Sequence, residues 1–151
     1  MKRIISAAIV LLLSLSIASA LNLNNLDNYA DLYNKKIETA PEVLRGMIGN
    51  ENVSLTILLN NSSTLRWGME LKNAKIVESG YGDLKDATIE VKASEDATND
   101  VLHAKYPMAA YQEAEESGQM SIDGKTFGAD IKIKIALGMS SVINSFISSL
   151  R

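Results

Sequence analysis

An α+β fold, a wall of strands lidded by helices, follows from three features of this sequence. Leu65, Trp67, Met69 and Leu71 alternate with Arg66, Gly68, Glu70 and Lys72, and Ala87, Ile89, Val91 and Ala93 alternate with Thr88, Glu90 and Lys92. Period-two alternation puts one face of a strand in a core and the other in water. Ser94 then stands where a helix N-cap belongs, with Glu95 and Asp96 in a first turn that the helix dipole favours. Pro107 can open a second helix at its first position, and Gly118 can close it.

At 151 residues the chain has room for one domain with a real core. Residues 1–20 read as an export signal: Lys2 and Arg3 give a positive start, Ile4 to Ile17 is an apolar run, and Ala18-Ser19-Ala20 fits the small-x-small cleavage pattern. Leu21 is then the new N-terminus, and residues 21–151 form one domain, with a helical segment at 21–50 and the sheet and its covering helices at 51–151. The alternative is an uncleaved anchor, for which the run is barely long enough, since a span needs about 20 predominantly apolar residues. The expected location is outside the cell or on the outer face of its membrane.

The chain has no cysteine, which removes disulfides, thiolate metal sites and a lipid-modified cysteine, so an exported domain of this kind relies on its core. Asn52-Val53-Ser54, Asn60-Asn61-Ser62 and Asn61-Ser62-Ser63 each satisfy the N-glycosylation pattern. Losing Lys2 and Arg3 with the leader lowers the basic side chains from 15 to 13 against 18 acidic ones, and so the net charge from −3 to −5. That balance argues against nucleic acid and against simple electrostatic binding to anionic lipid.

In chain order, Asn25 or Asp27 can cap a helix in which Leu26, Tyr29, Tyr33 and Ile37 recur at helical spacing, and Pro41 to Gly49 gives a second, short helix through Val43, Leu44 and Met47. Val53, Leu55, Ile57 and Leu59 alternate as a first strand, and a four-residue polar loop, Asn60 to Ser63, returns the chain into the strand of Trp67 as an antiparallel hairpin. Lys72-Asn73 is the next turn, Lys75 to Ser79 a third strand, Gly80 to Asp86 a loop, and Ile89 the centre of a fourth strand. Met120 and Ile122 form a brief fifth before Asp123-Gly124. Beyond it the pattern is ambiguous: Ile131, Ile133, Ile135 and Leu137 alternate as in a strand, while Phe127, Ile131, Ile135, Met139, Val142 and Phe146 share one helical stripe. From Met139 onward the amphipathic helical pattern is clearer, with serines on its polar side.

Catalysis needs titratable groups that converge, and here they are few. His103 is the only histidine, and Glu113, Glu115 and Glu116 spread over different faces of a helix, as a solvated side does. Neither a Gly-rich phosphate loop nor zinc spacing occurs, so no cofactor or metal is expected and the protein is read as no enzyme.

Taken in order, Trp67-Gly68-Met69-Glu70-Leu71-Lys72-Asn73, Ala87-Thr88-Ile89, Pro107 with Ala110 and Tyr111, and Gly118-Gln119-Met120-Ser121-Ile122-Asp123-Gly124 resemble the sterol carrier protein 2 family. The resemblance covers about residues 53 to 137. It implies a five-stranded, mostly antiparallel sheet covered on one face by helices, with an apolar tunnel between them for an acyl chain or sterol. It also implies a helix from Phe127 to Leu150. The tunnel wall would come from Leu65, Trp67 and Met69 on one strand, Ile89 and Val91 on the next, and Met120 and Ile122 on the last. The lid would add Leu102, Met108 and Tyr111, and the C-terminal segment Phe127, Ile131, Ile135, Met139 and Phe146. Methionines suit such a site because flexible thioethers adapt to variable apolar ligands. The function expected is lipid binding or transfer without catalysis, with transient membrane contact through the C-terminal segment. Members of the family are usually intracellular, from which the export signal departs. The competing expectation is a cell-surface structural or interaction domain whose tunnel is filled by side chains.

Overall fold

The structure, a computed structural model, describes residues 28–126. Residues 1–20, expected to be an export signal, the capping candidates Asn25 and Asp27, and the segment carrying Phe127, Ile131, Ile135, Met139 and Phe146 lie outside the described residues.

Helix α1 (Tyr29–Ile37) starts behind Asn28, one residue past the expected Asp27, and Asn28 makes no side-chain cap hydrogen bond. Pro41 caps α2 (Glu42–Ile48), and Gly49 at φ 56° ends it in a conformation that costs glycine little. Four strands follow: β1 (Glu51–Leu58), β2 (Thr64–Lys72), β3 (Lys75–Tyr81) and β4 (Ile89–Ser94). Helices α3 (Glu95–His103) and α4 (Pro107–Glu116) then lead into β5 (Met120–Gly124). Ser94 caps α3 by accepting the Ala97 N–H at 3.1 Å, Pro107 sits in the first turn of α4, and Gly118 at φ 73° ends the turn after it, all as the sequence predicts.

Three details differ from expectation. β3 runs two residues past Ser79, to Tyr81. β4 begins at Ile89 instead of being centred on it, because Ala87 and Thr88 belong to the segment that crosses from β3, where Thr88 N–H donates to Asn52 O. The β1–β2 loop has three residues rather than four: Leu59 and Ser63 close it through Leu59 N–H to Ser63 O at 2.9 Å, and Ser62 adopts φ 69°. A type I turn followed by one left-handed residue is the usual three-residue hairpin, because it matches the twist of the strands it joins.

The five strands lie in the order β3-β2-β1-β4-β5, so the first strand in sequence is the central one in space. β1 pairs antiparallel with β2 and parallel with β4, while β2–β3 and β4–β5 are antiparallel. β3 and β4 therefore run the same way on opposite sides of β2 and β1, and residues 82–88 must return across the sheet. Three inter-strand gaps span about 14 Å, and seven residues reach about 23 Å when extended. The connection accordingly crosses close to the sheet. It is held by Gly82 N–H to Arg66 O at 2.9 Å, Asn52 Nδ2 to Asp86 O at 3.3 Å and Thr88 N–H to Asn52 O at 2.8 Å. Leu84 lies directly over Gly68, where a Cβ would stand 2.6 Å from Leu84 Cδ1. The glycine between Trp67 and Met69 thus leaves room for the crossing chain.

The opposite face of the sheet is the packed one. α1 packs on β3, α3 on β4 and β1, and α4 on β5, and one apolar cluster runs from Tyr33 to Ile122. The outer edge of β3 is covered where α1 reaches it. Asn34 Nδ2 donates to Ile76 O and Asn34 Oδ1 accepts from Ile76 N–H, both at 2.8 Å, so one side-chain amide stands in for a neighbouring strand. The tight turn beside it puts Asn73 and Ala74 at φ 51° and 65°. It is clamped from both sides: Tyr33 OH donates to Ala74 O at 2.7 Å, and Ala74 N–H donates to Gly49 O at 2.8 Å.

Candidate functional site

The register lines up the inner side chains in rows. Trp67 pairs with Leu55, Leu55 with Val91, and Val91 with Ile122, giving an unbroken apolar row across four strands. A second row joins Met69, Val53 and Ile89, and a third joins Leu65, Ile57, Ala93 and Met120. Directly paired residues project from the same face, so on β2, β1, β4 and β5 these rows contain no polar side chain, while at the β3 edge the first two continue to Tyr81 and Ser79. Burying each large apolar member contributes about 1.5–3 kcal/mol.

Above the wall stand Val101 and Leu102 from α3 and Met108 and Tyr111 from α4, all buried and in the same cluster. Of the sequence-predicted site residues inside the described region, Trp67, Met69, Ile89, Val91, Leu102, Met108, Tyr111, Met120 and Ile122 are buried there. Leu65 is only half-buried, because β2 is just emerging from the hairpin at that point. The sequence reading did not include Val53, Leu55 and Ile57 in the site. Their alternation was visible, but it could not reveal that β1 occupies the centre of the sheet and so the middle of the wall.

The outer face differs in kind. Asn52, Thr56, Arg66, Glu70, Glu90, Lys92, Ser121 and Asp123 project there, by their pairing and alternation. Glu70 holds Lys72 at 2.8 Å and raises the lysine's pKa, chiefly through that hydrogen bond, and Glu90 does the same to Lys125 at 2.9 Å. Between this face and residues 82–86 opens a cavity of about 370 Å³, edged by Glu70, Glu78, Asp83 and Asp86. Four carboxylates make it a poor seat for an apolar ligand. His103 is exposed at the end of α3, its Nδ1 2.8 Å from Asn99 O, and Glu113 and Glu116 are exposed on α4. Among the described residues no three acidic or histidine side chains gather as a metal ion would require.

No protein-family model and no curated protein matches this sequence. Solved structures do match. A conserved hypothetical protein of Thermus thermophilus, described as possibly a sterol carrier protein, aligns with a TM-score of 0.55 at 12% identity over 88% of this chain and 92% of its own. Sterol carrier protein domain 2 of Helicoverpa armigera gives 0.52 at 16% identity over 82% and 95% of the two chains. Sterol carrier protein 2 of Yarrowia lipolytica, in its apo form, gives 0.50 at 16% over 75% and 98%. At such identities it is the backbone that is shared, and with its sheet order and apolar wall this chain has the sterol carrier protein 2 fold.

Proposed function

We propose that the protein is an exported lipid-binding or lipid-transfer protein that holds an acyl chain or sterol-like ligand in an apolar tunnel between sheet and helices, without catalysis. The observation that carries this reading is the wall itself: rows of apolar side chains across the sheet, two methionines among them, in a fold shared with proteins named sterol carriers. An apolar ligand is recognised by concave apolar surface with few polar groups, and binding strength follows the area covered, at about 25 cal/mol per Å². Selectivity then comes from tunnel length and width, so a range of chain lengths should bind. Export rests on residues 1–20, and transient membrane contact on the serine-rich C-terminal amphipathic segment.

Native mass spectrometry of the secreted protein tests the reading directly. A co-purifying lipid, lost on solvent extraction and regained from vesicles, is the expected result. Trp67 emission should shift as lipid binds, and Met69→Trp or Met120→Phe should abolish uptake at a cost of about 1–3 kcal/mol in overpacking. Lys92→Gln, exposed on the opposite face, should change neither. A protein that stays empty, whose indole ignores every lipid offered, is a scaffold with a filled core.

A further inference from the structure

The three N-glycosylation triplets are not equivalent in the folded chain, and their surroundings select one. Asn52 lies within β1, its Nδ2 donates to Asp86 O at 3.3 Å, and Ser54, the hydroxyl its triplet needs, is buried against the crossing segment's side of the sheet. Asn60 is exposed but engaged: its Nδ2 donates to Asp96 Oδ1 at 2.9 Å and its backbone N–H to Glu95 Oε2 at 2.7 Å, which ties the hairpin to the start of α3. Asn61 is different. It sits exposed at the tip of the three-residue loop, and its Oδ1 accepts both the backbone N–H of Ser63 at 2.9 Å and the Ser63 hydroxyl at 2.5 Å.

That turn bears on presentation. An amide nitrogen is a weak nucleophile because its lone pair is delocalised into the carbonyl, so its activation falls to the transferase, and what the turn supplies is a fixed side chain whose oxygen faces the loop. The hydroxyl two residues on is the side-chain donor this local turn brings to Asn61 Oδ1, while Asn61 Nδ2 has no hydrogen-bond partner among the described residues. We propose that Asn61 is an N-glycosylation site and that Asn52 and Asn60 are not, a proposal that rests on the export reading because the glycan donor lies across the membrane. The co-substrate is a polyprenyl-diphosphate-linked oligosaccharide. Asn61 Nδ2 forms the bond to the sugar's anomeric carbon, the bond from that carbon to the phosphate oxygen breaks, the lipid diphosphate leaves with its electron pair, and the amide proton passes to a carboxylate of the transferase. The loop is a tolerant place for the product, since residues 61–63 are exposed, while Asn60 ties the hairpin to α3 and Leu59 packs against the core.

The full chain is produced in a eukaryotic secretory host and its mass taken before and after amidase removal of N-glycans, with peptide mapping of the asparagine converted to aspartate. A single glycan at Asn61 is expected, lost in Asn61→Gln and Ser63→Ala, restored in Ser63→Thr and unaffected in Asn52→Gln and Asn60→Gln. Asn61→Gln leaves the Asn60 triplet intact, so a glycan persisting in that variant overturns the assignment, as does one mapped to Asn52. A chain retained in the cell with residues 1–20 attached defeats the export reading instead. The same chain behind a foreign secretion signal then decides the site: a secreted product without glycan overturns it.

Discussion

The two faces of the sheet are made by the same strands and do opposite things. On β2, Trp67 and Met69 look into the apolar cluster while Gly68 between them looks outward and receives Leu84 of the crossing segment. The inner face is covered by helices that bring many apolar side chains, and the outer face by one short segment that brings a single leucine and two carboxylates, Asp83 and Asp86. The difference shows that alternation along a strand tells which residues share a face, but not what comes to cover either face.

Substitutions can break or sharpen this contrast. The largest effect belongs to the inner face: Trp67→Ala should lower stability by about 3–5 kcal/mol, as deletion of a large buried ring does, against no more than about 0.5 kcal/mol for Lys92→Ala outside. Urea denaturation of both variants measures the gap, and a loss much smaller than this would mean that the ring borders open space rather than packed atoms. Next comes the edge beneath α1. Asn34→Leu leaves Ile76 N–H and C=O without their side-chain partner and should cost about 1–3 kcal/mol, with a rise in self-association seen by sedimentation as the strand edge is bared.

Gly68→Ala should cost about 1–2 kcal/mol by pushing Leu84 off the sheet. Adding Leu84→Ala should recover most of that loss, because the two changes share one contact. Additive losses would place the strain elsewhere. Ser62→Gly, which relieves a left-handed serine, should instead raise stability by about 0.5–1 kcal/mol. The smallest effect is at Glu38, whose carboxyl is held below the usual carboxylate range, first by its hydrogen bond to Lys75 at 2.5 Å and then by that lysine's charge. A depressed carboxylate contributes stability above its unfolded pKa and loses it as pH falls through the folded value. Glu38→Gln should therefore make the decline in urea midpoint below about pH 5 slightly shallower than in the parent. Both side chains are about half exposed and open to solvent screening, so the change should sit near the limit of detection.

Much of the fold was legible because it is written locally. Ser94, Pro107 and Gly118 mark helix ends through their own backbone and side-chain chemistry, and Leu65 to Leu71 sort inside from outside by period two. The buried inner-face residues on β2, β4 and β5 are legible for the same reason, helped by motifs whose order resembles a known fold. Leu65 is only half-buried, which the pattern does not tell, since alternation gives direction but not depth. Val53, Leu55 and Ile57 were missed as wall residues because no local signal distinguishes a central strand from an edge strand.

By itself, then, the sequence determined the strands, the capped helices and the apolar side of each, because these depend on neighbours within a few residues. Tertiary structure alone decided that β1 lies beside β4 and in parallel, that residues 82–88 cross the outer face, that Gly68 is the space they cross through, and that Asn34 closes the edge of β3. Each of these joins residues at least 16 positions apart in the chain, as Gly68 and Leu84 are. Such contacts are selected by how the whole sheet can pack and pair its backbone groups, and no short stretch of sequence contains that information.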